Sequence, residues 1–505
     1  MTSYSPNPGP SLSLAPRPEI LLTPDSMARV DEAAAGSGMD SFGLMLRAGE
    51  AVAAAALGRF PGALRFLVLC GPGNNGGDGY VAASALSRAG ADVLVYSLAG
   101  TSALKGDAAR AQSMCGLPVL SLDRFAPLKG DVVIDALFGA GLTRDLPQEV
   151  QALIRTVRER GLPVIAVDLP SGIDGATGEI RGDAFEAVST VTFMTRKPGH
   201  VLLPGRLHCG ALEVFDIGIP RRIVEAEAGA LWINGPGLWN GHARSASAQD
   251  HKYRRGHVTV FSGPYTATGA ARLSAFAALK AGAGLVTLAS PADALAVNAA
   301  HLTAVMLARI DTASDLSAWL SDARRTTFVL GPGFGDLDRA RRFTVMIADA
   351  GRSLVLDADG ISAFKGGADQ LSGLFEAEPA RLVVTPHEGE FLRLFPDIAA
   401  DQGLGKVEKA LAAAKALGGI VVYKGGDTVI ASPDGRAAIE ENAPAILATA
   451  GSGDVLAGII GARLANGMPA FEAACAGVYQ HGQAAIRAGH GLTAEDLATH
   501  ILADG

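Results

Sequence analysis

Two stretches of this chain carry residue types at spacings that suit chemistry. The first is GPGNNGGDG at 71–79. It holds a Gly-x-Gly-x-x-Gly pattern, which alone reads as a dinucleotide turn. The acid that would bind a ribose at the end of the next strand is missing, since Val95-Tyr96-Ser97-Leu98 offers no carboxylate. Asn74, Asn75 and Asp78 are more polarity than a glycine turn needs. Amide oxygens and carboxylates are ligands for a hard cation, and glycines let backbone amides face an anion. Two further loops suit the same corner, one running from Asp135 through Gly139 to Asp145, the other from Asp168 through Ser171 to Asp174. Turn and helix caps explain any one of these loops, but explain all three together poorly.

The second stretch is Ala450-Gly451-Ser452-Gly453-Asp454, followed by an apolar run from Ile459 to Leu464. Amides at a helix N-terminus form an anion hole, and an aspartate one step inside can act as base for a hydroxyl attacking a phosphoryl group. A plain helix cap has the same sequence, so the neighbours decide. Lys424-Gly425-Gly426-Asp427-Thr428 follows an apolar run and suits nucleotide phosphates, while Thr385-Pro386-His387-Glu388-Gly389-Glu390 ends another run. Neither is a Walker loop, because Gly-x4-Gly-Lys-Ser/Thr is absent.

These loops need a scaffold that brings them together. In the first half, short apolar runs at 65–70, 92–98, 131–137, 163–169, 188–194 and 211–215 read as strands. Helices are expected from the Thr23-Pro24-Asp25 cap, over about 41–58 and from Asp78 to Ala89. From about 220 to 250 the pattern blurs into a linker. A second series then runs through 256–262, 285–289, 327–330, 354–357, 382–385 and 420–423, with helices at 269–283 and 338–350. Strands separated by helices imply parallel sheets with ligands at the strands' carboxyl ends. If the first three ligand loops leave adjacent strands, Asn75, Asp135, Asp168 and Ser171 share one cleft. No short-period repeat appears, so the two series are different domains.

With 505 residues, the chain exceeds one core. Hydrophobic residues make up 49% and charged residues 19%, as in globular proteins, and the net charge of -8 argues against a nucleic-acid partner. The four cysteines are scattered, without zinc spacing, and read as free thiols of a reducing cytoplasm. Residues 1–19, rich in Ser and Pro, are expected to be a disordered tail and not a signal peptide. No apolar stretch reaches membrane-spanning length.

GPGNNGGDG, DALFGAGL, DLPSGIDG, Lys197-Pro198-Gly199-His200 and the segment from Asp216 to Pro220 together resemble the NAD(P)H-hydrate epimerases, over about 20–222. The resemblance implies a Rossmann-like three-layer sandwich, with potassium on Asn75, Asp135 and Ser171. The hydrated nucleotide would meet Asn74, Asn75, Gly76, Gly77 and Asp78. It would also meet Gly139, Ala140, Gly141, Leu142, Thr143, Arg144, Asp145 and Asp168. Asp168 takes the proton-transfer role, since a hemiaminal-like C6 needs a carboxylate at that centre.

Gly263-Pro264-Tyr265, Gly269-Ala270, the run from Ala281 to Thr287, Leu330 to Gly335, Leu356 to Gly360 and TPHEGE resemble the ribokinase-like ADP-dependent NAD(P)H-hydrate dehydratases. The second domain, 223–505, is then a ribokinase-like α/β domain. The resemblance places Ala270, Gly335, His387 and Asp454 on the hydrated nucleotide, with Asp454 as base. Lys424, Gly425, Gly426, Asp427, Thr428 and Gly453 would hold ADP, whose phosphates carry Mg2+. Ala450 departs from the glycine or proline expected there. Implied together are repair of hydrated NADH and NADPH (NADHX and NADPHX) by epimerisation of R and S forms, then ADP-dependent dehydration of the S form to NAD(P)H, AMP and phosphate. A cytoplasmic homo-oligomer without nucleic-acid or membrane partners is expected. A small-molecule kinase remains the alternative for the second domain, and a non-enzymatic nucleotide-binding module for the first.

Overall fold

Nearly every apolar run of the sequence becomes a buried strand in a computed structural model, which describes residues 17–98, 104–242, 252–375 and 381–502. Most of the expected tail lies outside the described residues, and Glu19 opens the two-residue strand β1 (Glu19–Ile20). One unit spans Ile20–Leu231 with Gly403–Val407; the other is formed chiefly by Trp232–Gln402 and Glu408–Gly505.

The first unit is built on β2 (Phe66–Cys70), β3 (Val93–Ser97), β4 (Val119–Ser121), β5 (Val132–Ala136), β6 (Val164–Val167), β7 (Ser189–Phe193) and β8 (Ala211–Phe215). They pair in the order β4-β3-β2-β5-β6-β7-β8, all parallel. Chain order reverses between β2 and β5, and ligands of open α/β sheets bind at such a switch point. Strand side chains alternate between faces. Val68, Ile134 and Ile165 therefore join one core with the helices Ser41–Arg59 and Asn74–Arg88, while Leu69, Val133 and Ala166 meet Leu153 and Val157 on the other face. The result is a three-layer sandwich.

Two sequence expectations change here. The helix expected from Asp78 begins at Asn74. Glycine is a poor helix former, so the run reads as loop, but packing overrides propensity. A Cβ on Gly76 would lie 2.1 Å from the Gly71 carbonyl oxygen, and one on Gly77 would lie 2.7 Å from the Met45 sulfur. The expected linker contains the helix Arg221–Glu227, with Ile223 and Val224 buried in the first core, and then β9 (Leu231–Ile233). The two compact units change over between Leu231 and Trp232. Elements of seven and three residues are too short to show a period.

The second unit continues with β10 (His257–Phe261), β11 (Leu285–Ser290), β12 (Met306–Arg309), β13 (Thr327–Leu330), β14 (Ser353–Leu356), β15 (Leu382–Val384), β16 (Ile420–Tyr423), β17 (Val429–Ala431) and β18 (Ala437–Ile439). Their sheet has the order β1-β9-β18-β17-β16-β15-β14-β13-β10-β11-β12. It is parallel from β16 to β12 and antiparallel through β16, β17 and β18. The strands β4, β12, β17 and β18 are not among the runs read from the sequence. The helix Ser452–Ala465 is apolar nearly all round and packs on the helix Thr268–Lys280. There a Cβ on Gly458 would lie 2.1 Å from the Ser274 carbonyl oxygen. Overpacking such a contact costs about 1–3 kcal/mol, so Gly458→Ala should lower the unfolding free energy by that amount and bring the urea midpoint down with it. An unchanged midpoint would mean that the two helices do not pack this closely.

Candidate active sites

A cleft of about 710 Å³ opens at the carboxyl ends of β2, β5 and β6, and Asn75, Asp78, Gly139 and Asp168 stand in its wall. Asp168, just past β6, is a non-glycine residue in the left-handed region, at φ +64°. Such a conformation persists only where the surroundings over-determine it. Its Oδ1 accepts from Lys197 Nζ (2.7 Å) and Thr192 Oγ1 (2.9 Å), and its Oδ2 accepts from the Ala140 N–H (2.9 Å). Burial alone would raise the pKa of this carboxyl. The Lys197 ammonium outweighs burial and, with the Ala140 N–H, holds it well below the usual carboxylate range. His200 Nδ1 accepts from the Lys197 backbone N–H (2.9 Å), and its Nε2 lies 2.7 Å from the Asp168 carbonyl oxygen. Burial presses His200 down to about 4, so the ring is neutral at ordinary pH.

Beneath the floor, Asp135 is fully buried. Its Oδ1 accepts from Ser171 Oγ (2.6 Å) and its Oδ2 from the Ser171 N–H (2.7 Å). Burial pushes Asp135 up to about 6 despite those donors. The Asn75 amide is satisfied with Nδ2 donating to the Val167 carbonyl (3.0 Å) and Oδ1 accepting from the Gly139 N–H (3.3 Å). Asp78, half-buried, is raised well above its ordinary value, first by burial and then by Asp168 and Asp31.

Of the residues expected around the nucleotide, Asn74, Asn75, Asp78, Gly139 to Arg144 and Asp168 line the cleft. Gly76 instead faces the Gly71 backbone and Gly77 faces Met45 and Ala108, and Asp145 is exposed. Sequence reasoning gave no part to Thr192, and none to Lys197 or His200 beyond the motif that contains them. The signal was available, since Lys-Pro-Gly-His follows a strand end, but nothing in it names Asp168 as the partner.

In the second unit the loops after β14, β15 and β16 meet the start of the helix Ser452–Ala465. Lys424 Nζ donates to Asp357 Oδ1 (2.8 Å) and lies 3.8 Å from Glu390 Oε2. Thr385 Oγ1 donates to the same Asp357 oxygen (2.8 Å), and the His387 backbone N–H donates to Glu390 Oε2 (2.9 Å). A Cβ on Gly453 would fall 3.4 Å from Lys424 Nζ and 3.7 Å from Asp357 Oδ2, which puts the helix N-terminus against this charge cluster. Asp454 is pushed up to about 7, first by burial and then by Asp357, with Lys424 opposing. His481, neutral and buried, sits with Nε2 2.8 Å from the Ser452 carbonyl and supports the same turn.

The expected phosphate residue Lys424 therefore stands among the carboxylates, while Asp427 and Thr428 lie buried behind it. Gly335 is exposed and donates its N–H to Asp359 Oδ2 (2.9 Å), and the His387 side chain is exposed at the start of the helix Glu388–Leu394. The Ala270 Cβ lies 3.2 Å from the point where a Cβ on Gly333 would stand. Among the described residues, no three His, Cys, Asp or Glu side chains are grouped to hold a metal by themselves.

Residues 41–199 match the family described as YjeF-related protein N-terminus, and residues 258–504 match NAD(P)H-hydrate dehydratase. Over 95% of its length the chain is 34% identical to the bifunctional NAD(P)H-hydrate repair enzyme Nnr of Coxiella burnetii, covering 98% of that protein. The protein of the same name from Escherichia coli is 31% identical, over 90% of this chain and 86% of its own. The chain belongs to the family of bifunctional NAD(P)H-hydrate repair enzymes. Among solved structures, the ADP/ATP-dependent NAD(P)H-hydrate dehydratase of Bacillus subtilis with ATP and Mg2+ is 24% identical, with a TM-score of 0.43. That match covers 51% of this chain and 91% of the other.

The Asp135–Ser171 pair ties β5 to the loop after β6. Ser171→Ala removes one donor from a buried carboxyl, a loss of about 1–3 kcal/mol. Denaturant unfolding should show a drop of that size; stability equal to the parent would mean that the pair does not brace the floor.

Proposed function

We propose that the chain repairs hydrated NADH and NADPH with one activity in each unit. The first cleft interconverts the R and S hydrates at C6, with Asp168 as its catalytic carboxylate. The second dehydrates the S form at the expense of ADP. What carries the second assignment is the meeting of Asp454, Lys424 and the Gly453 backbone at one helix N-terminus. Asp454 takes the proton of the C6 hydroxyl, whose oxygen attacks the terminal phosphoryl group of ADP and releases AMP. The C6 phosphoester then loses phosphate as a proton leaves C5, which restores the dihydropyridine. Phosphate leaves far more readily than hydroxide, which is the reason for a nucleotide in a dehydration. A kinase of the same fold would stop at a stable phosphoester, and the family matched by 258–504 favours the dehydratase.

The nucleotide-facing residues follow from the two walls. Asn74, Asn75, Asp78, the loop from Gly139 to Arg144 and Asp168 would take the hydrate in the first cleft. Ala270, Gly335, His387 and Asp454 would take it in the second, with Lys424 to Thr428 and Gly453 on ADP. Mg2+ would enter on the ADP phosphates and neutralise their charge. Potassium fits the first unit through the chemistry of the donor set, since Asn75, Asp135 and Ser171 offer only hard oxygen ligands. Bound there, potassium would supply a fixed positive charge below the cleft. Asn75 would turn its oxygen to it, and Asp135 would brace the loop that carries Ser171. We place the functional division at the structural one, near 231. All four cysteines are buried and unpaired, which fits a reducing cytoplasm.

Asp454→Asn in the whole chain should slow dehydration by about 10²–10⁴-fold, the usual worth of a general base. ADP binding and epimerisation should survive. Because the base must be ionised, turnover should rise with pH through about 7. Asp357→Asn, which removes a neighbouring negative charge, should move that rise to lower pH. Near-normal turnover of Asp454→Asn, or a profile flat from pH ~6 to ~8.5, would make the aspartate a helix cap only.

A further inference from the structure

The motif Lys197-Pro198-Gly199-His200 closes a ring around Asp168. The Lys197 ammonium donates to the Asp168 carboxylate, the Lys197 backbone N–H donates to His200 Nδ1, and His200 Nε2 faces the Asp168 carbonyl. With Nδ1 engaged as an acceptor, the proton of the neutral ring sits on Nε2 and is donated to that carbonyl. Lys197 is 2% exposed and His200 3% exposed, so water does not compete for either bond. One residue in the left-handed region is thus gripped at both its backbone and its side chain.

Counting protons narrows what Asp168 can do. The Lys197 ammonium is committed to Asp168 Oδ1, Thr192 Oγ1 (2.8 Å) and the Phe193 carbonyl (3.3 Å). The Thr192 hydroxyl donates its own hydrogen bond to Asp168 Oδ1, and the Ala140 N–H fills one side of Oδ2. Lys197 has no spare proton for a substrate, and Asp168 is saturated as an anion except for one lone pair on Oδ2.

We propose that Lys197 and His200 are positioning residues that present Asp168 as a permanent anion to C6, so that epimerisation runs by charge stabilisation and not by proton transfer to Asp168. This rests on the reading of the first cleft as the epimerase site. The C6–O bond breaks and its electron pair leaves on hydroxide, while the N1 lone pair closes an N1=C6 double bond. The cation forms beside Asp168, whose preorganised charge costs no reorganisation as the barrier is crossed. Water then adds to the opposite face of C6 and gives one proton to the departed hydroxide, so atoms and charge balance. Opening of the C6–N1 bond to an aldehyde is the competing route. It needs a base for the hydroxyl proton and keeps the original oxygen.

Epimerisation of the R hydrate by the whole chain in ¹⁸O-water separates the two routes. The proposal expects one ¹⁸O in each product molecule, above the spontaneous exchange of an enzyme-free control. Asp78 on the helix Asn74–Arg88 and Asp31 on the helix Pro24–Gly36 face the same carboxylate, so pH profiles are read as differences between variants. Lys197→Met should slow epimerisation at least tenfold and give a rate that climbs with pH as Asp168 ionises, which the parent lacks. His200→Gln, which keeps an N–H near the Nε2 position, should retain more activity than His200→Ala. ADP-dependent dehydration of the S form by the same samples reports that the chains are folded. Epimerisation without ¹⁸O, or Lys197→Met with the parent's rate and profile, would overturn the proposal and leave the cleft an epimerase. A parent that does not epimerise at all would instead overturn the reading of the cleft.

Discussion

Burying an ammonium demands a carboxylate partner, because an unpaired charge cannot be carried into a low-dielectric interior. Both units meet that demand at the carboxyl ends of parallel strands, through Lys197 with Asp168 and through Lys424 with Asp357. The same pairing has opposite consequences. In the first site the ammonium meets Asp168 itself, the carboxylate we propose for catalysis, and holds it ionised. In the second, Lys424 is bound to Asp357 and leans on Glu390, so burial dominates at Asp454 and leaves it near 7. Environments that push carboxyl groups apart in this way set different chemistries at one pH.

Backbone approach is the second common requirement. The glycine that follows a strand touches the carbonyl that follows its neighbour in each unit. A Cβ on Gly71 would stand 1.7 Å from the Leu137 oxygen, and one on Gly331 would stand 1.7 Å from the Asp357 oxygen. Closing these gaps gathers loops that are distant in sequence over one floor. A side chain at either position would part these loops.

Much of this was legible in the residues. Runs such as FLVLC and VVIDA are apolar on both faces and sit in the interior of parallel sheets, where sequence periodicity places them. Asp168 and Lys424 come directly after such strands, Asp135 lies near the end of one and Asp454 near a helix start, so all four could be singled out before any contact was known. Partnerships were not legible. Lys197 meets Asp168 across 29 residues and Lys424 meets Asp357 across 67, and only the sheet order sets those distances. The glycine-rich opening of the helix Asn74–Arg88 misled for a related reason, since its stability comes from packing on Met45 and Gly71 rather than from propensity.

The central claim is that one chain carries two complementary repair activities. The most direct measurement supplies the purified chain with the R epimer of hydrated NADH, with and without ADP, and follows the absorbance of reduced nicotinamide. The account predicts recovery of that absorbance only with ADP, together with release of AMP and phosphate. No recovery from the R epimer while the S epimer recovers would contradict the first site, and accumulation of a stable phosphoester from either epimer would contradict the second.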